Sequence, residues 1–142
     1  MTLVHATSVQ LGASGVLILG GSGAGKSDLA LRLIGEGALL VADDQTRLTV
    51  RDGRLVATAP AAIAGRIEAR AVGIVRAARI EAAVLRLAVR LDAAPLERMP
   101  EPSFWQVPGV AAAPHLPLIA LAPFEPSSTV KLRMALTAVT QA

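Results

Sequence analysis

The chain has 142 residues, no cysteine and a formal charge of +3, which is room for one domain with a real core and leaves out disulfides, thiolate-metal sites and a thiol nucleophile. Its pI near 10.6 reflects what is missing, because with no tyrosine or cysteine, and lysine only as Lys26 and Lys131, little loses a proton between neutrality and strong alkali. Arginines are scattered from Arg32 to Arg133, the aromatic residues are Phe104, Trp105 and Phe124, and no apolar stretch reaches the roughly 18 residues that span a bilayer.

That pattern argues against nucleic acid as the main partner and against a membrane span, and leaves open a mildly basic face for an acidic protein. The amino terminus lacks a basic leader segment. The expectation is a soluble, cytoplasmic, single domain over residues 1–142.

Val4, Ala6 and Val9 are the apolar positions of a short first strand, and Gly12 and Gly15 bracket a bend before the next. His5 stands alone in this stretch, where a histidine is as much at home on the surface as in chemistry. Gly15 to Leu19 is an apolar run of strand length, and Ser27 to Ile34 carries apolar residues at helical spacing.

Between that strand and helix lies Gly20-Gly21-Ser22-Gly23-Ala24-Gly25-Lys26-Ser27, which fits the phosphate-binding loop pattern G-x-x-x-x-G-K-[ST]. Glycines let backbone N–H groups turn inward around a phosphate, Lys26 reaches the outer phosphates, and the Ser27 hydroxyl can ligate Mg²⁺. Asp28 falls in the first helical turn, where the helix dipole favours a carboxylate, and Gly35-Glu36-Gly37 ends the helix.

Ala38 to Ala42 is a continuous apolar run, read as a buried strand returning parallel to the first core strand. Asp43 and Asp44 then stand at its carboxyl end, where ligands of α/β sheets collect, close to Lys26 and Ser27. Because successive strand residues point to opposite faces, the two aspartates should divide the work, one facing metal and nucleotide and the other the acceptor.

Thr46 to Val50 and Arg54 to Thr58 alternate around Asp52-Gly53, a β-hairpin signal. Pro60 to Gly65 is a connector, and Arg66 to Arg70 alternates so that Glu68 stands between two arginines, by itself an ordinary surface ion-pair ladder. Val72 to Val75 is apolar. Residues 84–91 alternate as a strand, the prolines from Pro95 to Pro114 make Asp92 to Pro114 mostly loop with at most a short turn near Leu96 to Met99, and Leu116 to Leu121 is a last strand, edge-like because of Pro117. Ser127 or Ser128 is placed to cap a closing helix.

Taken together, Gly15 to Ile18 before the glycine loop, Leu40 to Asp44, and Ile67-Glu68-Ala69-Arg70-Ala71-Val72-Gly73-Ile74-Val75 resemble the catalytic domain of the HPr kinase/phosphorylase family over about residues 5–91. The resemblance implies an α/β, P-loop kinase-like fold with a mixed sheet similar to the nucleotide-binding core of phosphoenolpyruvate carboxykinase. It implies transfer of phosphate from ATP or pyrophosphate to a serine of HPr, the phosphocarrier of the sugar phosphotransferase system, and removal of that phosphate by phosphorolysis. Residue by residue, it implies that Lys26 holds phosphate, Ser27 and Glu68 serve Mg²⁺, and Asp44 is general base forward and general acid in reverse. His5 matches a family histidine near the catalytic aspartate, and the family's hexameric rings suggest a homo-oligomer.

The chain departs from the family pattern in three ways. Full-length members carry a separate amino-terminal domain ahead of this one, and the expectation is the short, catalytic-domain-only form of some proteobacteria; Ala71 stands where the family usually has glycine; and Pro108-Gly109-Val110-Ala111 lacks the arginine of the family's late Pro-Gly-Arg-Asn segment, which bears on phosphorolysis. Two rival readings keep the loop without protein phosphorylation, namely a nucleotide-sensing regulatory module and a small-molecule kinase.

Overall fold

The computed structural model describes residues 1–92 and 95–141. In chain order, β1 (Thr2–Val4), β2 (Ala6–Leu11) and β3 (Ser14–Leu19) precede α1 (Lys26–Gly35), and β4 (Leu39–Ala42) follows it. The strands β5 (Thr46–Arg51) and β6 (Arg54–Thr58) are joined through Asp52 and Gly53, both at positive φ (53° and 72°), which is the backbone that a two-residue hairpin turn requires. A short 3₁₀ turn at Ala61–Ile63 leads to the β7 (Arg66–Ala69) and β8 (Gly73–Arg76) hairpin, then β9 (Ala82–Leu91), β10 (Ser103–Trp105), β11 (Leu116–Leu121) and α2 (Ser128–Thr140).

The strand β9 holds the sheet together. Its first residues pair antiparallel with β6, residues 85–90 pair parallel with β3, and residues 88–91 pair parallel with β11 on the side that β6 has left. The main run of strands is β1-β5-β6-β9-β3-β2-β4, and the change of partner along β9 lets the sheet curl. Leu85, Leu87, Ala88 and Val89 of this strand are all buried, whereas Arg86, at the register shift against β3, and Arg90 are exposed.

Alternation along the central strands feeds two cores. Val16, Ile18, Leu87 and Val89 pack with Leu29, Ala30 and Leu33 of α1 and with Leu132 and Leu136 of α2, while Leu17, Leu85 and Ala88 pack with Leu48, Leu55, Val107 and Leu116. Each fully buried Leu, Ile or Val contributes roughly 1.5–3 kcal/mol, so helices on one face and the curled strands on the other are both secured. Glu36, at the end of α1, accepts hydrogen bonds from Arg133 and Thr129 of α2 at 3.1 Å each and ties the helices together.

The fold overturns the expected edge position of β11 and refines three other readings of the sequence. β4 does run in the direction of β3, but β2 lies between them and is antiparallel to both, because a tight turn at Gly12 folds β2 onto β3 before the helix returns the chain. β11 is not an edge: it pairs with β9 through residues 118–121 and with β10 through residues 116–118, and Pro117 sits opposite Phe104, outside the stretch bonded to β9. The segment from Asp92 to Pro114, of which residues 93 and 94 lie outside the described residues, is mostly loop as expected, with a bend at Arg98 and Met99, and it contains the short strand β10. Ser127 occupies the cap position of α2 without a side-chain cap bond, and the Ser128 hydroxyl instead donates to the Ala122 carbonyl at 2.6 Å.

Candidate active site

The glycine loop leaves the carboxyl end of β3 and enters α1 at Gly25, whose φ of 101° ends the left-handed stretch. A Cβ built on Gly25 would stand 2.9 Å from Pro123 Cβ and 3.0 Å from Phe124 Cζ, so this position needs glycine for space as well as for backbone conformation. The amino terminus of α1, with its unpaired N–H groups and positive dipole end, opens into a cleft of about 600 Å³. Lys26 is only 5% exposed, and its Nζ donates to the Gly20 and Gly21 carbonyls at 2.9 and 3.0 Å, which holds the ammonium over the loop.

Asp43 follows directly on β4 and is nearly buried. One carboxylate oxygen accepts the Ser27 hydroxyl at 2.6 Å and the Thr7 hydroxyl at 3.1 Å, and the other accepts the Glu68 backbone N–H at 3.1 Å. Three elements, α1, β2 and β7, thus converge on one carboxylate. Thr7 also accepts the backbone N–H of Asp44 at 3.0 Å, and the Gln45 N–H donates back to the Asp43 carbonyl at 2.7 Å. The chain therefore makes a three-residue turn around Asp44, whose φ is +66°, a region that non-glycine residues adopt at a cost.

That turn sends the Asp44 side chain to solvent, where it is 62% exposed and bonded to His5 Nε2 at 2.7 Å. The two aspartates do part, but by this turn rather than by strand alternation, since β4 ends at Ala42. The cleft is lined by Ser27, Asp43, Asp44 and Glu68 together with Arg66 and Arg70. The expected Glu68 ion-pair ladder does not form: among the described residues Glu68 makes no ion pair with Arg66 or Arg70, and its exposed carboxylate is free to face the cleft.

The donor set suits a hard cation. A serine hydroxyl and a carboxylate held 2.6 Å apart, with a second carboxylate on the same cleft, are the oxygen ligands Mg²⁺ takes when substrate phosphates and waters complete its shell. Among the described residues no three His, Asp or Glu side chains gather into a closed metal cage.

Of the residues singled out in the sequence, Gly20 to Ser27, Asp43, Asp44, Glu68 and His5 all come to this cleft or its rim. Pro108 and Gly109 do not; they belong to a separate surface hollow formed by residues 106–111. Thr7 was missed, because a threonine in an alternating strand carries no local mark of a carboxylate arriving 36 residues later. Arg66, Arg70 and Phe124 also line the cleft, and only the fold brings them there.

This architecture is that of a mixed α/β protein with a curled sheet and two helices, and it superposes on the Hpr(Ser) kinase/phosphatase structure from Coxiella burnetii with a TM-score of 0.77 and 26% identity, covering 99% of this chain and 90% of that one. The sequence matches the family described as HPr Serine kinase C-terminal domain over residues 1–86, and the chain belongs to that family. Similar curated relatives are the HPr kinase/phosphorylases of Clostridium botulinum strain Eklund 17B (39% identical over 74 residues), Limosilactobacillus reuteri strain DSM 20016 (42% over 73) and Exiguobacterium sibiricum (44% over 75). These matches cover 51–52% of this chain and 23–24% of each relative, so the chain spans about a quarter of the length of the curated relatives it matches.

Proposed function

We propose that this chain is a Mg²⁺-dependent protein-serine kinase domain that transfers the terminal phosphoryl group of ATP, or of pyrophosphate, to a serine of an HPr-like phosphocarrier. The observation that carries this reading is the division of labour between adjacent aspartates: Asp43 is nearly buried on Ser27, whereas Asp44 is exposed and oriented by His5 at 2.7 Å. A site for a small acceptor would enclose its base; this one leaves Asp44 open to solvent, within reach of a protein acceptor. Family membership and the names of the relatives support the same acceptor.

In the proposed reaction the loop N–H groups and Lys26 hold the β- and γ-phosphates. Ser27, Asp43 and Glu68 are the residues that would hold Mg²⁺, which supplies charge neutralisation across the phosphate oxygens. The acceptor serine oxygen attacks the terminal phosphorus, its bond to the bridging oxygen breaks, and ADP (or phosphate, from pyrophosphate) leaves. Asp44 takes the serine proton, and His5 is a positioning residue that aims the carboxylate. Run backward, phosphate would attack the phosphoserine phosphorus, the bond to the serine oxygen would break as a protonated Asp44 returns the proton to that oxygen, and pyrophosphate would leave.

The test is incubation of the protein with HPr, γ-labelled ATP and Mg²⁺. Label is expected on an HPr serine, and its absence under conditions where the protein binds ATP would leave a nucleotide sensor instead. Adding inorganic phosphate to the labelled product tests the reverse direction in the same tube.

A further inference from the structure

Phe124 is one of only two phenylalanines in the chain, and it is 66% exposed at the mouth of the cleft. An exposed aromatic ring is unremarkable on a loop that moves, but this one is held. Arg32 of α1 donates to the carbonyls of Pro123 and Glu125, the Ser128 hydroxyl donates to the Ala122 carbonyl, and Lys131 pairs with Glu125 at 3.2 Å. Phe124 is therefore anchored from both sides, with its ring edge against the Gly25 backbone.

The contacts around the cleft run in one order: His5 to Asp44, Asp43 to Ser27, then Lys26 and Gly25, then Phe124. If Asp44 is the base, the phosphoryl group in transfer faces Asp44, and whatever the phosphates are attached to extends away from it through the cleft. Among the described residues Phe124, beside Gly25, is the aromatic side chain that lines that cleft. Leu31 lines the same cleft and adds apolar surface.

We infer that Phe124 is the platform for the aromatic base of the nucleotide donor, which rests on the kinase reading above and extends it to how ATP is distinguished from a bare polyphosphate. A π face beside a phosphate cradle favours a ligand that joins phosphates to a planar ring, and gives nothing to tripolyphosphate or pyrophosphate. Phe124 thereby sets donor preference without touching the reacting atoms.

The experiment is calorimetric titration of the protein with Mg·ATP and, separately, with Mg·tripolyphosphate, for wild type, Phe124→Ala and Phe124→Tyr. Loss of stacking should weaken ATP binding by about fivefold to a hundredfold in the alanine variant, leave tripolyphosphate within twofold, and be restored by tyrosine. Equal weakening of both ligands would mean that the ring only props the glycine loop, and no change in either would mean that it is idle; each result overturns the inference and leaves the phosphate site standing. Wild type binding tripolyphosphate as tightly as ATP would overturn it as well. Wild type binding neither would instead remove the kinase reading on which it rests.

Discussion

The two sides of the cleft are built in opposite ways. On the phosphate side Lys26 and Asp43 are nearly buried and every polar atom that matters has a partner: Nζ on two loop carbonyls, the carboxylate on Ser27, Thr7 and the Glu68 N–H. On the other side Asp44 and His5 are half-exposed and, among the described residues, their side chains bond only to each other, next to a two-stranded hairpin, β7–β8, that pairs with no other strand among the described residues. Buried, fully bonded groups keep their geometry without reorganisation. Exposed ones give up that rigidity and gain access for a large acceptor.

Substitutions should separate the sides. Asp44→Asn has the largest expected effect, a loss of about 10²- to 10⁴-fold in transfer rate from a missing general base, with ATP affinity and melting temperature unchanged; wild-type turnover in a transfer assay would refute the assignment. Lys26→Ala should lower transfer by about 10²- to 10³-fold and, unlike the first, should also weaken ATP binding in titration. Asp43→Ala should act on both function and stability, because Thr7 and the Glu68 N–H lose their acceptor, at about 1–3 kcal/mol in a denaturant melt; a stability equal to wild type would mean that the convergence on Asp43 carries no weight.

His5→Ala should cost about tenfold to a hundredfold in kcat through misaimed geometry, with KM for ATP unaffected, so a change confined to KM would place His5 in donor binding instead. The smallest effect is stabilising. Ala71 adopts φ of +71° in the β7–β8 turn, where a Cβ is strained, and Ala71→Gly should raise stability by about 0.5–1 kcal/mol after the entropy cost of glycine. If urea unfolding shows no gain, the hairpin tolerates the strain by flexing.

Much of the site was legible from spacing. The glycine loop announces itself because the loop conformation needs glycine at particular positions, and Asp43 and Asp44 are placed near it because one helix and one returning strand have a definite length. The Asp52-Gly53 turn and the alternation of residues 84–91 are local for the same reason. Glu68 and His5 were visible only by resemblance to a family, since nothing near either residue in sequence marks it.

By itself the sequence determined what depends on neighbours a few residues apart: periodicity, turns, the loop, and the order of its elements. Tertiary structure alone decided that β2 enters between β3 and β4, that β11 is paired on both sides, that the Asp44 turn and not the pleat divides the aspartates, and that Thr7 and Phe124 reach the cleft. Those outcomes follow from which strands share a buried core and an edge, and such pairings join residues tens of positions apart, where no local pattern records them.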